Sequence, residues 1–175
     1  MNKVKTITLD KIINFSKMNR KNKFRIIYCP PNTLIRPMFK RFKKTNLEVG
    51  AQNCHESNNF GAYTGHVNSN MLKNIGAKYI ILGHSENRQE GDDDKLINSK
   101  IKSAQKAGLK IIFCIGETIK DKRNKKTNKV LASQIKNGLK SIKNKSNILL
   151  AYEPVWSIGT GLIPKKEDLI KSISF

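Results

Sequence analysis

The chain has 175 residues, of which 34 are Lys or Arg and 13 are Asp or Glu, so its formal net charge at pH 7 is +21. This length suffices for one buried core, and we expect residues 1–175 to form a single domain. No run of about 18 apolar residues and no secretory signal pattern is present, so the sequence predicts no membrane partner and a cytoplasmic location.

Five short apolar runs alternate with helical patterns along the chain. They predict strands over residues 24–29, 47–52, 78–82, 110–115 and 147–152. Regular alternation of strand and helix predicts a parallel sheet with right-handed crossovers. Because neither a dinucleotide glycine fingerprint nor a phosphate-loop motif is present, the pattern alone leaves a barrel and an open doubly wound sheet both open.

The helical patterns are defined by apolar residues three or four positions apart. The predicted helices contain Leu9, Ile12 and Ile13, then Ile97, Ile101 and Ala104, and then Leu131, Ile135, Leu139 and Ile142. Gly108 stands where a C-terminal cap is expected, and Thr127 is a candidate N-cap. We expect Pro164 to open the last helix.

The last predicted strand leads directly into a carboxylate and a loop that contains glycines. Residues 149–151 are apolar in succession, which is typical of a strand covered on both faces. Glu153 follows at the carboxyl end, Pro154 restricts the backbone after it, and Gly159 and Gly161 give the far side freedom. Glu153 is therefore a candidate proton-transfer group under a lid, with a helix cap or an ion-pair partner as the plainer alternative.

The third predicted strand also ends in a titratable residue. Residues 79–82 are followed by Gly83 and then His84, and we expect Ser85 and Glu86 to hold the imidazole ring. Carboxyl ends of parallel strands meet at one edge of a sheet, so His84 and Glu153 are predicted to lie at the same end.

Five sequence blocks together resemble the triosephosphate isomerase family. Tyr152-Glu153-Pro154-Val155-Trp156 with Ile158-Gly159-Thr160-Gly161 resembles the family signature, and Leu82-Gly83-His84-Ser85-Glu86 resembles its catalytic histidine segment. The other blocks are Gly50-Ala51-Gln52-Asn53, Gly61-Ala62-Tyr63-Thr64-Gly65 and Cys114-Ile115-Gly116-Glu117. The resemblance runs from about residue 24 to residue 175. It implies an α/β fold, a partial (β/α)8 barrel covering about strands two to six.

The resemblance implies interconversion of dihydroxyacetone phosphate and glyceraldehyde 3-phosphate, a step of glycolysis and gluconeogenesis, with no cofactor and no metal. Glu153 would remove the proton beside the carbonyl, and His84 would donate to the oxygen where charge develops. A glutamate base with a histidine donor is the known arrangement in this family, so the assignment rests on the resemblance. Ser85 and Glu86 would support the pair, Glu86 by partnering a lysine of the family's first strand.

The resemblance assigns the loop after Glu153 to a lid. Gly159 would offer its backbone N–H to the substrate phosphate, and Ile158 would shield the Glu153 carboxylate. An enediolate phosphate released into water would eliminate its phosphate, so the lid must close and reopen in each turnover. The other lid residues are Pro154, Val155, Trp156, Thr160 and Gly161.

Two positions depart from the family pattern. His66 stands where the family usually has Glu, and Asn87 stands where it usually has Arg. Both belong to the family's dimer contact, where the loop around Thr64 inserts near the partner's active site, and a homodimer is expected for a complete member. A compensated exchange of an ion pair and drift in a chain no longer selected for activity both explain the departures. For His55 and His66, which lie outside the histidine block, a structural role is favoured.

The resemblance also sets expectations for the two ends. Met1-Asn2 aligns directly after the family's first strand, which carries a substrate-contacting Asn and Lys, and the chain stops before strands seven and eight. We therefore expect an incomplete barrel that is inactive alone. The alternatives are a noncatalytic remnant and a basic polyanion-binding protein on a half-barrel scaffold.

The cysteines and the basic residues bear on two further possibilities, a metal site and a nucleic-acid partner. Cys29, Cys54 and Cys114 lack the paired spacing of a zinc site, so we expect them to be reduced and buried, with no metal. Lysines are spread over all predicted helices and arginines are few, which favours weak nonspecific attraction to polyanions over specific nucleic-acid binding. Attraction of an anionic substrate is also compatible with this charge.

Overall fold

The computed structural model describes residues 6–18 and 25–174. Five parallel strands form its sheet: β1 (Ile26–Tyr28), β2 (Leu47–Ala51), β3 (Tyr79–Leu82), β4 (Lys110–Ile115) and β5 (Ile148–Tyr152). Each boundary lies within two residues of the predicted one, apart from the part of the first run that falls outside the described residues.

The strand order decides between the two sheet types that the sequence left open. The strands lie in the order β1-β2-β3-β4-β5, so every crossover leads to the next strand on the same side. A doubly wound sheet reverses its order at a switch point, whereas a barrel sheet adds strands in sequence. The described sheet is therefore that of a partial (β/α)8 barrel, as the sequence predicted.

Helices precede, connect and follow the strands. They are α1 (Thr6–Met18), α2 (Ile35–Phe42), α3 (Ser69–Asn74), α4 (Ser85–Gln89), α5 (Asp94–Lys106), α6 (Ile119–Arg123), α7 (Thr127–Gly138) and α8 (Lys166–Ile173). Short 3-10 turns cover Asn32–Leu34 and Val155–Ser157. Among the helices of the described residues, none has the length and apolar character needed to cross a membrane.

The predicted helix ends are partly right. Gly108 follows α5 with a positive φ of 73°, so the predicted C-terminal cap is confirmed. Thr127 is the first residue of α7 and not its N-cap, because Lys125 adopts a φ of 56° and the N–H of Lys126 bonds to the carbonyl of Asp121. The chain has therefore already turned into the helix at Thr127. Helix α8 begins at Lys166, two residues after Pro164.

The core lies between the helices and the outer face of the sheet. Side chains of β3 and β4 that face the helices are fully or almost fully buried, among them Ile80, Leu82, Ile111 and Phe113. Ile97 and Ile101 of α5 cover them, as their predicted spacing requires. One cluster of buried apolar side chains extends from α1 to β5. The single-domain organisation stays a prediction.

The expected burial of the last strand on both faces is wrong. Leu149 is 48% exposed and Leu150 is 52% exposed, although they point to opposite faces of β5. The strand pairs with β4 on one side only, and Ile170 and Ile173 of α8 are themselves exposed. The apolar run is correct as a strand, but the described elements cover neither of its faces completely.

Candidate active site

A tight turn after β3 places His84 at the carboxyl edge of the sheet. Gly83 has a φ of 78°, and a Cβ atom there would lie 2.8 Å from the carbonyl oxygen of Cys114 on β4. A side chain at this position would be strained and would clash, so glycine is required. His84 then becomes the N-cap of α4, where its Nδ1 accepts a hydrogen bond from the backbone N–H of Glu86 at 3.3 Å.

The bond at Nδ1 determines what the other ring nitrogen can do. A neutral imidazole has one donor and one acceptor nitrogen, so accepting at Nδ1 places the proton on Nε2. Nε2 of His84 lies 2.8 Å from Oε1 of Glu153. The donor of the ring therefore faces the candidate base.

Glu153 reaches this point from the end of β5. Its backbone N–H bonds to the carbonyl of Ile115 at 2.8 Å, which fixes it beside β4. A Cβ atom on Gly116 would lie 1.7 Å from the carbonyl oxygen of Glu153, so only glycine allows the two strand ends to approach this closely. The position of the Glu153 carboxylate therefore depends on where these backbone contacts place residue 153, as well as on its own side chain.

Ser85 supplies two further donors to the same carboxylate. Its backbone N–H lies 3.0 Å from Oε2 of Glu153, and its Oγ lies 3.1 Å from Oε1. The expected contact of Ser85 with the His84 ring is thus replaced by contacts with the base. The Glu86 side chain is exposed, and its Oε2 lies 3.8 Å from Nδ1 of His84, so its backbone and not its carboxylate holds the ring.

The buried thiol of Cys114, on β4, lies near this pair. Burial raises the pKa of Cys114 to about 12, and the negative charge of Glu153 adds to the effect. Such a thiol is neutral near pH 7 and is a poor nucleophile. All three cysteines are free, as expected; Cys54 and Cys114 are buried, but Cys29 is only half-buried, which corrects the prediction.

The segment that the resemblance assigns to a lid, residues 154–161, begins with a turn that is anchored just after the end of β4. The indole Nε1 of Trp156 donates to Oε1 of Glu117 at 2.9 Å, and the hydroxyl of Tyr152 donates to Oε2 at 3.0 Å. Glu117 is 1% exposed, so this carboxylate is a buried acceptor for both rings. Sequence reasoning placed Glu117 in a family block without a role; its position just after β4, at the edge that carries His84 and Glu153, was the available signal.

The far part of this segment is exposed to solvent. Ile158 is 43% exposed, and Gly159, Thr160 and Gly161 are exposed as well. Thr160 is held locally, since its Oγ1 donates to the carbonyl of Trp156 at 3.0 Å. The described arrangement therefore leaves the tip of this segment exposed to solvent, and the shielding of Glu153 by Ile158 stays a prediction.

A cavity of about 350 Å³ lies beside His84. Its lining residues are Pro31, Asn32, Gln52, Asn53, Ile81, His84, Glu86 and Asn87. Among the described residues, the lining includes Asn87, one of the two departures, and no Lys, no Arg and no residue of 154–161. The side chains in it that can donate a hydrogen bond are His84 and the amides of Asn32, Gln52, Asn53 and Asn87.

The other two histidines lie in a neighbouring cavity of about 400 Å³ that shares Asn32 and Asn53 with the first. The rings of His55 and His66 are 4.7 Å apart, and His55 also contacts Tyr63 at 4.5 Å between ring centroids. These contacts agree with a structural role. No group of three or more metal-ligating side chains occurs in the described part of the chain.

Comparison with known proteins points to one family. A family model described as triosephosphate isomerase matches residues 1–175. The triosephosphate isomerase of Alkaliphilus oremlandii is 38% identical over 178 residues, which cover 100% of this chain and 71% of that protein. The triosephosphate isomerase of Saccharomyces cerevisiae is 42% identical over 144 residues, which cover 82% of this chain and 58% of that protein.

A solved structure agrees with these sequence matches. The crystal structure of triosephosphate isomerase from Bartonella henselae matches with a TM-score of 0.84 and 31% identity, covering 99% of this chain and 69% of that one. Across the eight curated relatives compared, the chain spans 58–71% of the relative's length.

Proposed function

The chain belongs to the triosephosphate isomerase family, and we propose that its described residues supply the proton-transfer pair of this isomerase. The observation that carries the proposal is the 2.8 Å contact between Nε2 of His84 and Oε1 of Glu153. It brings a base and a donor from two separate strands to one point. The proposed substrates are dihydroxyacetone phosphate and glyceraldehyde 3-phosphate, and the proposed setting is glycolysis and gluconeogenesis in the cytoplasm, with the complete protein a homodimer.

Glu153 is the proposed base. Its carboxylate takes a proton from the carbon beside the substrate carbonyl, and the electron pair left behind forms the carbon–carbon double bond of an enediolate. The three donor contacts from Ser85 and His84 hold the carboxylate in its described position. Substrate entering between base and ring replaces the His84 contact, which frees the carboxylate to reach carbon.

His84 is the proposed electrophile. Negative charge develops on the carbonyl oxygen, and the N–H at Nε2 donates to it because Nδ1 is occupied by the backbone of Glu86. Return of the proton to the neighbouring carbon, with transfer of a proton between the two oxygens, completes the isomerisation. Atoms and electrons balance within the substrate, so the reaction needs no redox cofactor.

The proposed lid closes over this pair from its described position, in which its tip is exposed to solvent. Ile158 moves over the carboxylate, and Gly159 offers its N–H to the phosphate, which excludes water while the enediolate exists. The positive φ of Gly159 and Gly161 marks the side of the lid where the backbone can turn most freely.

We infer that the described residues place no cationic side chain beside the enediolate. Among the described residues that line the cavity beside His84 there is no Lys or Arg, so only the His84 ring and neutral amide side chains can donate to the developing charge. Removing one preorganised donor from such a site typically costs about 10²–10³ in rate. The open faces of β5, which carries Glu153, further weaken the support of the base.

A chimera tests whether the Glu153–His84 pair supports catalysis when the rest of the barrel is supplied by a complete relative. The matching stretch of the Saccharomyces cerevisiae relative is replaced by the corresponding residues of this chain, and isomerase turnover is measured with a coupled assay. We expect turnover that Glu153→Gln lowers by about 10³-fold and His84→Gln lowers by about 10²-fold, within the usual range of general acid–base catalysis. A folded, active chimera whose turnover does not depend on Glu153 refutes the proposed role.

A further inference from the structure

We propose that Lys122 is a positioning residue that holds the proposed lid, residues 154–161, in its described position with an exposed tip by binding the ring of Trp156. The role of the lid rests on the proposed isomerase function, but the contact and its test do not require turnover. Nζ of Lys122 lies 3.7 Å from the centroid of the indole ring. Attraction between an ammonium and the face of an aromatic ring is strongest for tryptophan.

The ring is held at its edge and at its face by two different elements. Glu117, after β4, accepts the indole N–H, and Lys122, in α6, covers the ring face. Trp156 is only 9% exposed as a result, although the lid residues after it are exposed. A hydrogen bond alone would leave the ring free to tilt about Nε1, whereas the ammonium fixes the plane of the ring.

The ammonium is itself fixed by a charge on a third element. Oδ2 of Asp168, in α8, lies 3.0 Å from Nζ of Lys122. Helix α6 is anchored at its start by reciprocal bonds between Thr118 and Asp121, so the backbone that carries Lys122 has little freedom. Lys122 therefore links α6, the lid and α8.

Neighbouring lysines do not duplicate this contact. Lys122 lines a cavity of about 490 Å³ together with Lys125 and Lys171. Among the described residues, however, the only other lysine over an aromatic ring is Lys110, which lies over Tyr79 of β3. Removing the charge at Lys122 should thus have an effect that removal of another charge on α6 does not reproduce.

The contact favours one position of the lid. Trp156 belongs to the lid, so moving the lid towards Glu153 displaces the ring from an ammonium that α6 and Asp168 hold in place. An interaction made in only one of two conformations shifts the population towards that conformation. Lys122 thereby raises the fraction of molecules in which the proposed lid occupies its described position.

Tryptophan fluorescence measures this contact directly, because Trp156 is the single tryptophan of the chain. The test compares the 175-residue protein with Lys122→Gln, with the conservative Lys122→Arg, and with Lys120→Gln, which removes the same charge from α6. Acrylamide quenching and the emission maximum are measured for each, with far-UV circular dichroism as the check on folding.

We expect the quenching constant to rise by about twofold or more in Lys122→Gln and to remain near the starting value in Lys122→Arg and Lys120→Gln. Asp168→Asn should give a smaller rise in the same direction. Equal quenching in Lys122→Gln and the starting protein, or an equal rise in Lys120→Gln, overturns the proposal. If Lys122→Gln does not fold, Asp168→Asn decides: an unchanged quenching constant and emission maximum overturn the proposal, and the expected rise supports it.

Discussion

Nε2 of His84 lies 2.8 Å from Oε1 of Glu153, although the strands that carry the two residues are separated by β4. The contact depends on close approach of backbone at the strand ends. Gly83 lets the chain turn against the carbonyl of Cys114, and Gly116 leaves room for the carbonyl of Glu153. The geometry of the pair is thus fixed by two residues that have no side chain.

Gly116→Ala should therefore displace Glu153 and lower stability. The new Cβ atom would lie 1.7 Å from a backbone oxygen, which a rotamer change cannot relieve. We expect a loss of about 2–4 kcal/mol in the free energy of unfolding, measured by urea denaturation. Gly65→Ala is the matched control, because it has no atom within 4 Å of the new Cβ and adds only backbone strain at a φ of 82°, about 1–2 kcal/mol. A smaller loss in Gly116→Ala than in the control would contradict this account.

The buried thiols should make the protein less stable at alkaline pH. Burial raises the pKa of Cys54 to about 11 and that of Cys114 to about 12, from a usual value of 9.0. Well below pH 9 the thiols are neutral in both the folded and the unfolded state, so this contribution to stability is fully present. As the pH rises from 9 to 12, the unfolded thiols ionise first and the contribution is lost.

Alkylation at pH 9 tests the same shift. A thiol with a pKa of about 12 is ionised in only about one molecule in a thousand at this pH, against about half of unfolded thiols. We expect Cys114 to react with iodoacetamide at least about 100-fold more slowly in the native protein than in urea. Similar rates in both states, read by mass spectrometry of the Cys114 peptide, would show that the thiol is not protected.

The sequence was sufficient to predict the strands and the edge at which the site lies. Short apolar runs and their alternation with helices are local signals, and they located β2 to β5 within one residue at each end. Burial of Leu149 and Leu150 was predicted wrongly because it depends on which elements cover a strand, and an apolar run does not specify them. The N-cap at Thr127 failed because the left-handed conformation of Lys125 moved the turn one residue earlier.

Contacts within the site were less predictable than its location. Ser85 was expected to hold His84 but bonds to Glu153, because the choice between the two depends on how closely β3 and β5 approach. The pairing of Lys122 with Trp156 joins residues from α6 and the lid, and no periodicity connects them. The family resemblance supplied the roles of Glu153 and His84, which the residues alone left as one interpretation among several.

The two departures from the family pattern should be coupled in dimerisation. His66 and Asn87 line adjoining cavities that share Asn32 and Asn53. In the chimera with the Saccharomyces cerevisiae relative, His66→Glu and Asn87→Arg together should strengthen the dimer by at least about 0.5 kcal/mol more than the sum of the single changes. Sedimentation equilibrium of the four proteins measures this cycle. Additive effects would show that the two positions are independent.

Polyanion binding should be nonspecific. The net charge of +21 comes mainly from lysines that are distributed over the surface helices, and lysine binds phosphate as a point charge without reading bases. We expect two duplexes of unrelated sequence to bind with affinities within about twofold of each other and to lose affinity together as salt rises. Fluorescence anisotropy at several salt concentrations measures both. A preference for one duplex that persists at raised salt would favour specific recognition.

The most direct test measures isomerase turnover of the purified 175-residue chain beside its Glu153→Gln variant. We propose that Glu153 and His84 are correctly paired, but that the described cavity residues, which include no lysine or arginine, and the open faces of β5 give too little charge stabilisation and support for turnover. We therefore predict equal traces of activity in both preparations, at the level of contaminating host enzyme. Activity that copurifies with the chain and disappears in Glu153→Gln would contradict this prediction.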